Sequence, residues 1–334
     1  MNLLGCRLSN QQLAGAHRPS TPAEIVAWFG AMQSQDFAGA KWAVGQRLPG
    51  STDADIEKAL TDGSILRTHV MRPTWHFVAR QDIRWMLELT APRVKALCAY
   101  QNRQHGLDAA LFTRSQKLMV KMLRGGVQLT RAELGSVLSQ GGEALGHIML
   151  RAELDGVVCS GARRGKQFTY ALLEERAPDA RVLSRDEALY ELAGRYFRSH
   201  GPATVNDFAW WSGLTVKDAR TGLEMAKSKL TGDGKYWMSD SCDPAKATGT
   251  AHLLPNYDEY IVGYADRSAL SDGSVPGNLL FSHAIVLDGR IAGTWKRISG
   301  KSATAVETTP FRAFNQTEQR KIAAAAGRFR KFLG

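Results

Sequence analysis

A chain of 334 residues is long for one domain and has room for several cores, and its 43 Lys and Arg against 32 Asp and Glu leave a net charge of +11. That balance favours a polyanionic partner, nucleic acid first, because neutralising phosphates releases counterions. No apolar run approaches bilayer length, MNLLGCRLSNQQ at the N-terminus lacks the features of a signal peptide, and Cys6, Cys98, Cys159 and Cys242 show no metal-ligand spacing, so a reduced cytoplasmic chain without structural zinc is expected.

The first strong element is TPAEIVAWFGAMQSQD, residues 21–36. Thr21 with Glu24 makes a capping box and Pro22 suits the first helical position, which predicts a helix starting at Thr21. Ile25, Phe29 and Met32 recur at helical spacing beside Trp28, and Gly30 loosens the last turn, so the helix is predicted to end near Gln33 and Gln35. Residues two apart on a regular helix diverge by about 200°. The amides of Gln33 and Gln35 therefore meet only if the backbone leaves helical geometry at Ser34, a break that Asp36 would make by capping a second helix. Solvated side chains at a helix end remain the other reading.

Helices over 37–47 and 53–61 are followed by strands at 65–70 and 75–78. Their connection, Met71-Arg72-Pro73-Thr74, puts the cation Arg72 at a hairpin tip. Helices followed by a strand pair describe a winged helix. A long helix over 80–102, with a break or kink at Pro92, leads away from it. The pattern recurs with helices at 114–123, after Thr130 and over 143–154, then strands at 157–160 and 167–172 joined by a glycine-bounded tip carrying Arg163, Arg164 and Lys166. A third round has helices at 184–200, 204–211 and 215–227 and a short hairpin around Gly232-Asp233-Gly234. After a polar linker at 240–248 the chain turns to β: strands at 251–254, 260–262, 284–287 and 290–295, a two-residue turn at Asp288-Gly289, and a closing cationic helix capped by Thr317. The expected fold is α+β, mainly helical. Three tandem winged-helix units, over 1–105, 106–180 and 181–245, precede a small β-barrel or sheet over 246–334.

Four segments, QSQD at 33–36, LRTHVMRPTWH at 66–76, LLPNYDEYIVGYADR at 253–267 and GTWKR at 293–297, together resemble the AlkZ-like winged-helix DNA glycosylases over nearly the whole chain. The resemblance implies a concave DNA-binding surface, a small C-terminal β-barrel and a glutamine–apolar–glutamine active-site motif for excising bulky alkylated purines. Gln33 and Gln35 match the two glutamines; Ser34 departs from the apolar middle position. Neutral amides can position a water for attack at C1′ and cost less to desolvate than paired carboxylates. A cationic alkylated base already leaves readily. The implied activity is that of a monofunctional glycosylase acting on alkylated double-stranded DNA, a monomer near the nucleoid that needs no cofactor and no metal. The alternative is a non-catalytic winged-helix DNA-binding protein or regulator in which the glutamines merely cap a helix.

Asp258 and Glu259 are supporting acids in one reading and ion-pair partners of Arg267 or of a neighbouring wing in the plainer one. His69 and His76 read as packed residues, and Trp75, Trp210, Trp211 and Trp295 as core more than as base stackers. Arg72, Arg163, Arg164 and Lys166 are the expected phosphate contacts, with solvated wing charges as the alternative. No phosphate-cradling loop, nucleophile elbow or Ser-His-carboxylate order is present.

Overall fold

Thr21 accepts from the Glu24 amide and Pro22 opens the helix, so α2 (Pro22–Phe29) starts where the sequence predicts. It ends earlier. Gly30 takes φ +87°, a conformation glycine adopts without penalty, and turns the chain directly into β1 (Ala31–Gln33). A computed structural model describes this architecture for residues 2–15, 19–239, 249–271, 281–299 and 304–334, and the predicted 240–248 linker lies outside them. A short helix, α1 (Leu3–Asn10), precedes α2.

Asp36 caps α3 (Phe37–Gly45) as expected, and α4 (Asp53–Thr61) leads into β2 (Ile65–His69) and β3 (Trp75–Ala79). These strands form an antiparallel sheet ordered β1-β3-β2, with Gln33 and Thr68 both opposite His76. Next comes α5 (Ile83–Gln104), which runs through Pro92 without the break that is one of the two sequence expectations there. Leu87, Leu89, Ala91, Val94 and Cys98 are buried on both sides of the proline, and their packing outweighs the missing hydrogen bond.

The order helix, strand, helix, helix, strand, strand then repeats. It comprises α6 (Ala109–Leu123), β4 (Leu129–Thr130), α7 (Arg131–Leu138), α8 (Gly142–Leu154), β5 (Val158–Ser160) and β6 (Thr169–Leu172), with sheet order β4-β6-β5. After the short α9 (Leu173–Arg176) come α10 (Arg185–Ser199), α11 (Val205–Ser212), α12 (Val216–Ala226), β7 (Thr231–Gly232) and β8 (Trp237–Met238). Here a single bridge from Ala203 to Trp237 stands where the first strand would be.

The C-terminal part has the strands β9 (Ala251–Leu254), β10 (Ala284–Leu287), β11 (Arg290–Ser299) and β12 (Thr304–Pro310) in the order β12-β11-β10-β9. Asp288 and Gly289, both at positive φ, make the predicted hairpin turn. Among the described residues this is an open sheet, and the barrel expected as one alternative is not formed. Residues 260–262, predicted as a strand, lie in the single-turn α13 (Glu259–Val262), because the Asp258 side chain caps it by accepting from the Tyr260 amide. The closing helix α14 (Gln316–Leu333) is capped by Asn315 and Glu318 rather than by Thr317. Cys98 and Cys159 are buried free thiols, but Cys6 is disulfide-bonded, which corrects the all-reduced expectation. Sequence separation carries no information about which cysteines meet in space.

The first sheet divides two cores. Ala31, Leu66 and Val78 face one containing Trp85, Tyr196 and Trp211 from α5, α10 and α11. Met32, Ile65 and Phe77 face the other, where Leu253, Ile285, Trp295, Phe329 and Phe332 bring in the C-terminal sheet and α14. The C-terminal sheet and α14 thus pack into the core of the first unit. Buried Arg47 reinforces this union by donating from Nη1 and Nη2 to the two Asp258 oxygens at 2.8 and 2.7 Å, with Gln11 and Ala43 carbonyls taking its other protons.

Two stability predictions follow from these buried groups. Arg47→Met should cost about 3–5 kcal/mol in denaturant unfolding, since it strands a buried carboxylate, whereas Arg47→Met with Asp258→Leu should cost less. Burial holds His76 at about 3 and His200 below its usual value of 6.5. An unfolded chain binds those protons first, so the urea midpoint should fall as pH drops from 6.5 toward 3.

Candidate active site

Beyond β1 the ladder continues for one residue, as the Ser34 amide donates to the Trp75 carbonyl at 2.7 Å. Side chains of an extended segment alternate, and here Met32 and Ser34 are buried while Gln33 is half-buried and Gln35 exposed. The chain leaves helical geometry at Gly30 and not by a break at Ser34, so Gln33 ends β1 and Gln35 lies in the bend just past it. Among the described residues neither side-chain amide has a protein partner.

Behind Gln33 lies Glu259, almost wholly buried. Its Oε1 accepts from the Gln33 amide at 2.7 Å, while Oε2 accepts from the Trp211 indole at 2.8 Å and lies 3.3 Å from His200 Nε2. Burial pushes the carboxyl up, but the His200 hydrogen bond and charge, the Gln33 amide and the Arg72 guanidinium outweigh it and hold Glu259 below its ordinary value. It is a carboxylate in the folded protein. Asp258 differs: both of its oxygens are committed to Arg47 and the cap of α13, so it has no free acid to offer. Neither pairs with Arg267, whose Nε donates to the Ile261 carbonyl and whose guanidinium lies 5.2 Å from the Trp210 ring.

Arg72 does not project from a wing tip. The turn after α11 docks onto that tip so closely that a Cβ on Gly213, at φ +68°, would come 2.1 Å from the Met71 carbonyl oxygen. The side chain folds inward, leaving Nε and Nη2 buried without partners near the Glu259 charge. Opposite Gln33, the buried His76 has Nδ1 2.9 Å from the Thr74 carbonyl, which assigns the proton to Nδ1 and leaves the Nε2 lone pair unpartnered. Burial and the Arg72 charge keep the ring neutral, with a pKa of about 3. The hydroxyl of Thr68, also opposite His76, is likewise buried without a partner, as are those of Ser34 just past β1 and Thr74 just before β3.

The other predicted contacts separate. Arg163 donates to both Glu57 oxygens at 2.6 and 2.9 Å over the Phe37 ring, and Arg164 donates to Glu133 at 2.6 Å. Only Lys166 of that tip is exposed without an ion pair among the described residues. His69 is bonded to Glu153, Trp211 and Trp295 are core, Trp75 covers the Arg67 guanidinium at 4.3 Å, and Trp210 is 46% exposed. His200 and Arg47 were not singled out from sequence, since only tertiary contact brings either to the site. Among the described residues no group of three or more His, Cys, Asp or Glu could hold a metal, and no helix is long and apolar enough to cross a membrane.

These are two free neutral amides, one at the end of β1 and one in the bend after it, with a buried carboxylate on the Gln33 backbone amide and a neutral imidazole opposite Gln33. Such groups can orient a water and stabilise developing positive charge; they offer no strong nucleophile.

Comparison with known proteins gives the family and the fold. The model of the family described as DNA glycosylase AlkZ-like matches residues 26–332. A curated relative, the interstrand DNA cross-link repair glycosylase of Streptomyces sahachiroi, is 23% identical over 358 residues, covering 96% of this chain and 95% of the relative. The solved structure of Streptomyces sahachiroi DNA glycosylase AlkZ shares the fold, with a TM-score of 0.81 and 21% identity over 99% of this chain and 95% of that one. The protein belongs to the AlkZ-like DNA glycosylase family, DNA repair enzymes that hydrolyse N-glycosidic bonds.

Proposed function

We propose that this glycosylase excises bulky or cationic N-alkylated purines from duplex DNA, with Gln33 and Gln35 orienting the attacking water. The observation that carries the reading is the pair of unpartnered amides at the end of β1 and in the bend just past it, with a buried carboxylate on the Gln33 backbone amide. Alkylation at N7 or N3 makes the base cationic, so the C1′–N bond breaks with the base leaving as a neutral species. The water oxygen bonds to C1′ and its proton passes to solvent. Glutamine is too weak a base to take it. The amide oxygens of Gln33 and Gln35 accept from the water and set its approach, and the Glu259 carboxylate behind them favours positive charge on the sugar.

The thrice-repeated element order, with first-strand, third-strand, second-strand pairing in two complete sheets, supports reading the units as winged helices, the usual carriers of DNA contacts. Ser34 is buried and its carbonyl accepts from Arg67, so the departure at the middle motif position supports a packing role there and leaves the two amides unaltered. A regulator would share the units and the charge. It would have no use for two free amides, and the glycosylase family already argues against it.

Gln33→Ala and Gln35→Ala should each slow release of alkylated purines while leaving duplex affinity within a few fold, because water positioning matters mainly in the transition state. Losses should be at or below about 10²-fold on N7-methylguanine, which leaves readily unaided, and larger on a slower-leaving adduct. A base-release assay over a panel including cross-linked duplex checks both the site and the substrate range. Lys166→Ala should flatten the log–log salt dependence of duplex binding by about one unit, and Arg163→Ala by less, since Glu57 already neutralises that cation. Affinity titrations at several salt concentrations measure both slopes.

A further inference from the structure

We infer that Glu259 is the positioning residue for Gln33, and that His200 and Trp211 hold it in place; the inference rests on the glycosylase reading of Gln33. β1 is an edge strand, since the sheet order is β1-β3-β2. The Ser34 amide points inward to β3, so the Gln33 amide points out to the free edge, as alternation demands. There it meets no strand. It donates instead to Glu259 Oε1 at 2.7 Å, on α13, 226 residues away in sequence.

The carboxylate is itself fixed from two further elements. Trp211 on α11 donates to Oε2 at 2.8 Å, and His200, just past α10, places Nε2 at 3.3 Å from the same oxygen. The His200 ring cannot swing away. It is stacked on Tyr196 at 4.6 Å and 15°, meets Phe29 of α2 edge-on at 5.4 Å, and has Nδ1 2.8 Å from Ser199 Oγ. Because the Gln33 side chain has no partner of its own, its direction depends on its backbone, which the β3 ladder holds on one side and this one acceptor on the other. Glu259 is shut from solvent. It acts through Gln33, transmitting the placement of α10 and α11 to the reacting face.

Single-turnover base release by Glu259→Gln, Glu259→Asp and Trp211→Phe, alongside Gln33→Ala, tests this. Each Glu259 variant should slow release about 10- to 100-fold with duplex affinity within a few fold, because small misplacement of an orienting group is costly. Glu259→Gln keeps the length but turns an NH2 toward the Trp211 donor; Glu259→Asp keeps the charge but loses the reach. Trp211→Phe keeps the ring in the core and the carboxylate, and should slow release by less; it carries the test where Glu259 variants fail to fold. In every variant the Gln33 backbone amide resonance should shift and its hydrogen exchange accelerate. Wild-type rates in Glu259→Gln, or in Glu259→Asp, would overturn positioning, the latter by showing that charge suffices. So would slowed release with an unmoved Gln33 amide. Full activity in Gln33→Ala would instead bring down the reading of Gln33, and the inference with it, whereas a slow Gln33→Ala with wild-type Glu259 variants removes the inference alone.

Discussion

Two adjacent buried carboxylates hold this molecule's parts in register. Asp258 binds Arg47 at the end of α3, and Glu259 binds the Gln33 amide, Trp211 and His200. A charge buried this fully costs several kcal/mol unless every lone pair finds a donor, so the elements supplying those donors cannot move independently. The first unit, the third unit and the C-terminal segment are thereby tied at one dipeptide. Asp258 does the structural part, by capping α13 and neutralising Arg47. Glu259 brings that rigidity to Gln33 at the end of β1.

The first sheet is the other constraint. Its edges are both occupied without further strands: Glu259 takes the Gln33 amide on β1, while Ser160 and Glu153 of the second unit take the Arg67 and His69 amides on β2. Unpaired edges invite strand addition, and polar side chains from neighbouring units prevent it here while fixing how those units dock. Hydrophobic burial on both sheet faces then makes a continuous body in which the candidate site lies where the apolar face gives way to Gln33, His76 and Thr68.

Charge is spent unevenly. Of the cations that a linear reading assigns to DNA, Arg72 folds into the site and Arg163 is consumed by Glu57, itself also bound by Lys41. A hairpin tip in sequence is a surface feature only if nothing docks on it. The net excess of +11 still describes the whole surface, and association with a polyanion depends on that sum more than on any one tip.

Local chemistry along the chain was enough for the helix starts at Thr21, Thr130 and Ser184, the Asp36 cap, the Asp288-Gly289 turn, the repeated helix-then-hairpin order and, through four short segments, the family. Such signals reside in a few consecutive residues. Where they competed, tertiary structure decided. Gly30 rather than Ser34 ended the α2 helix, Asp258 made a helical turn of an apolar run that also suited a strand, and core packing carried α5 through Pro92. The partners of the buried charges were not legible at all. Arg47 with Asp258, and His200 and Trp211 with Glu259, meet across 211, 59 and 48 positions, and no local rule selects one distant donor among 43 cations and eight tryptophans; only the folded interior, where an unpaired charge is prohibitively costly, does so.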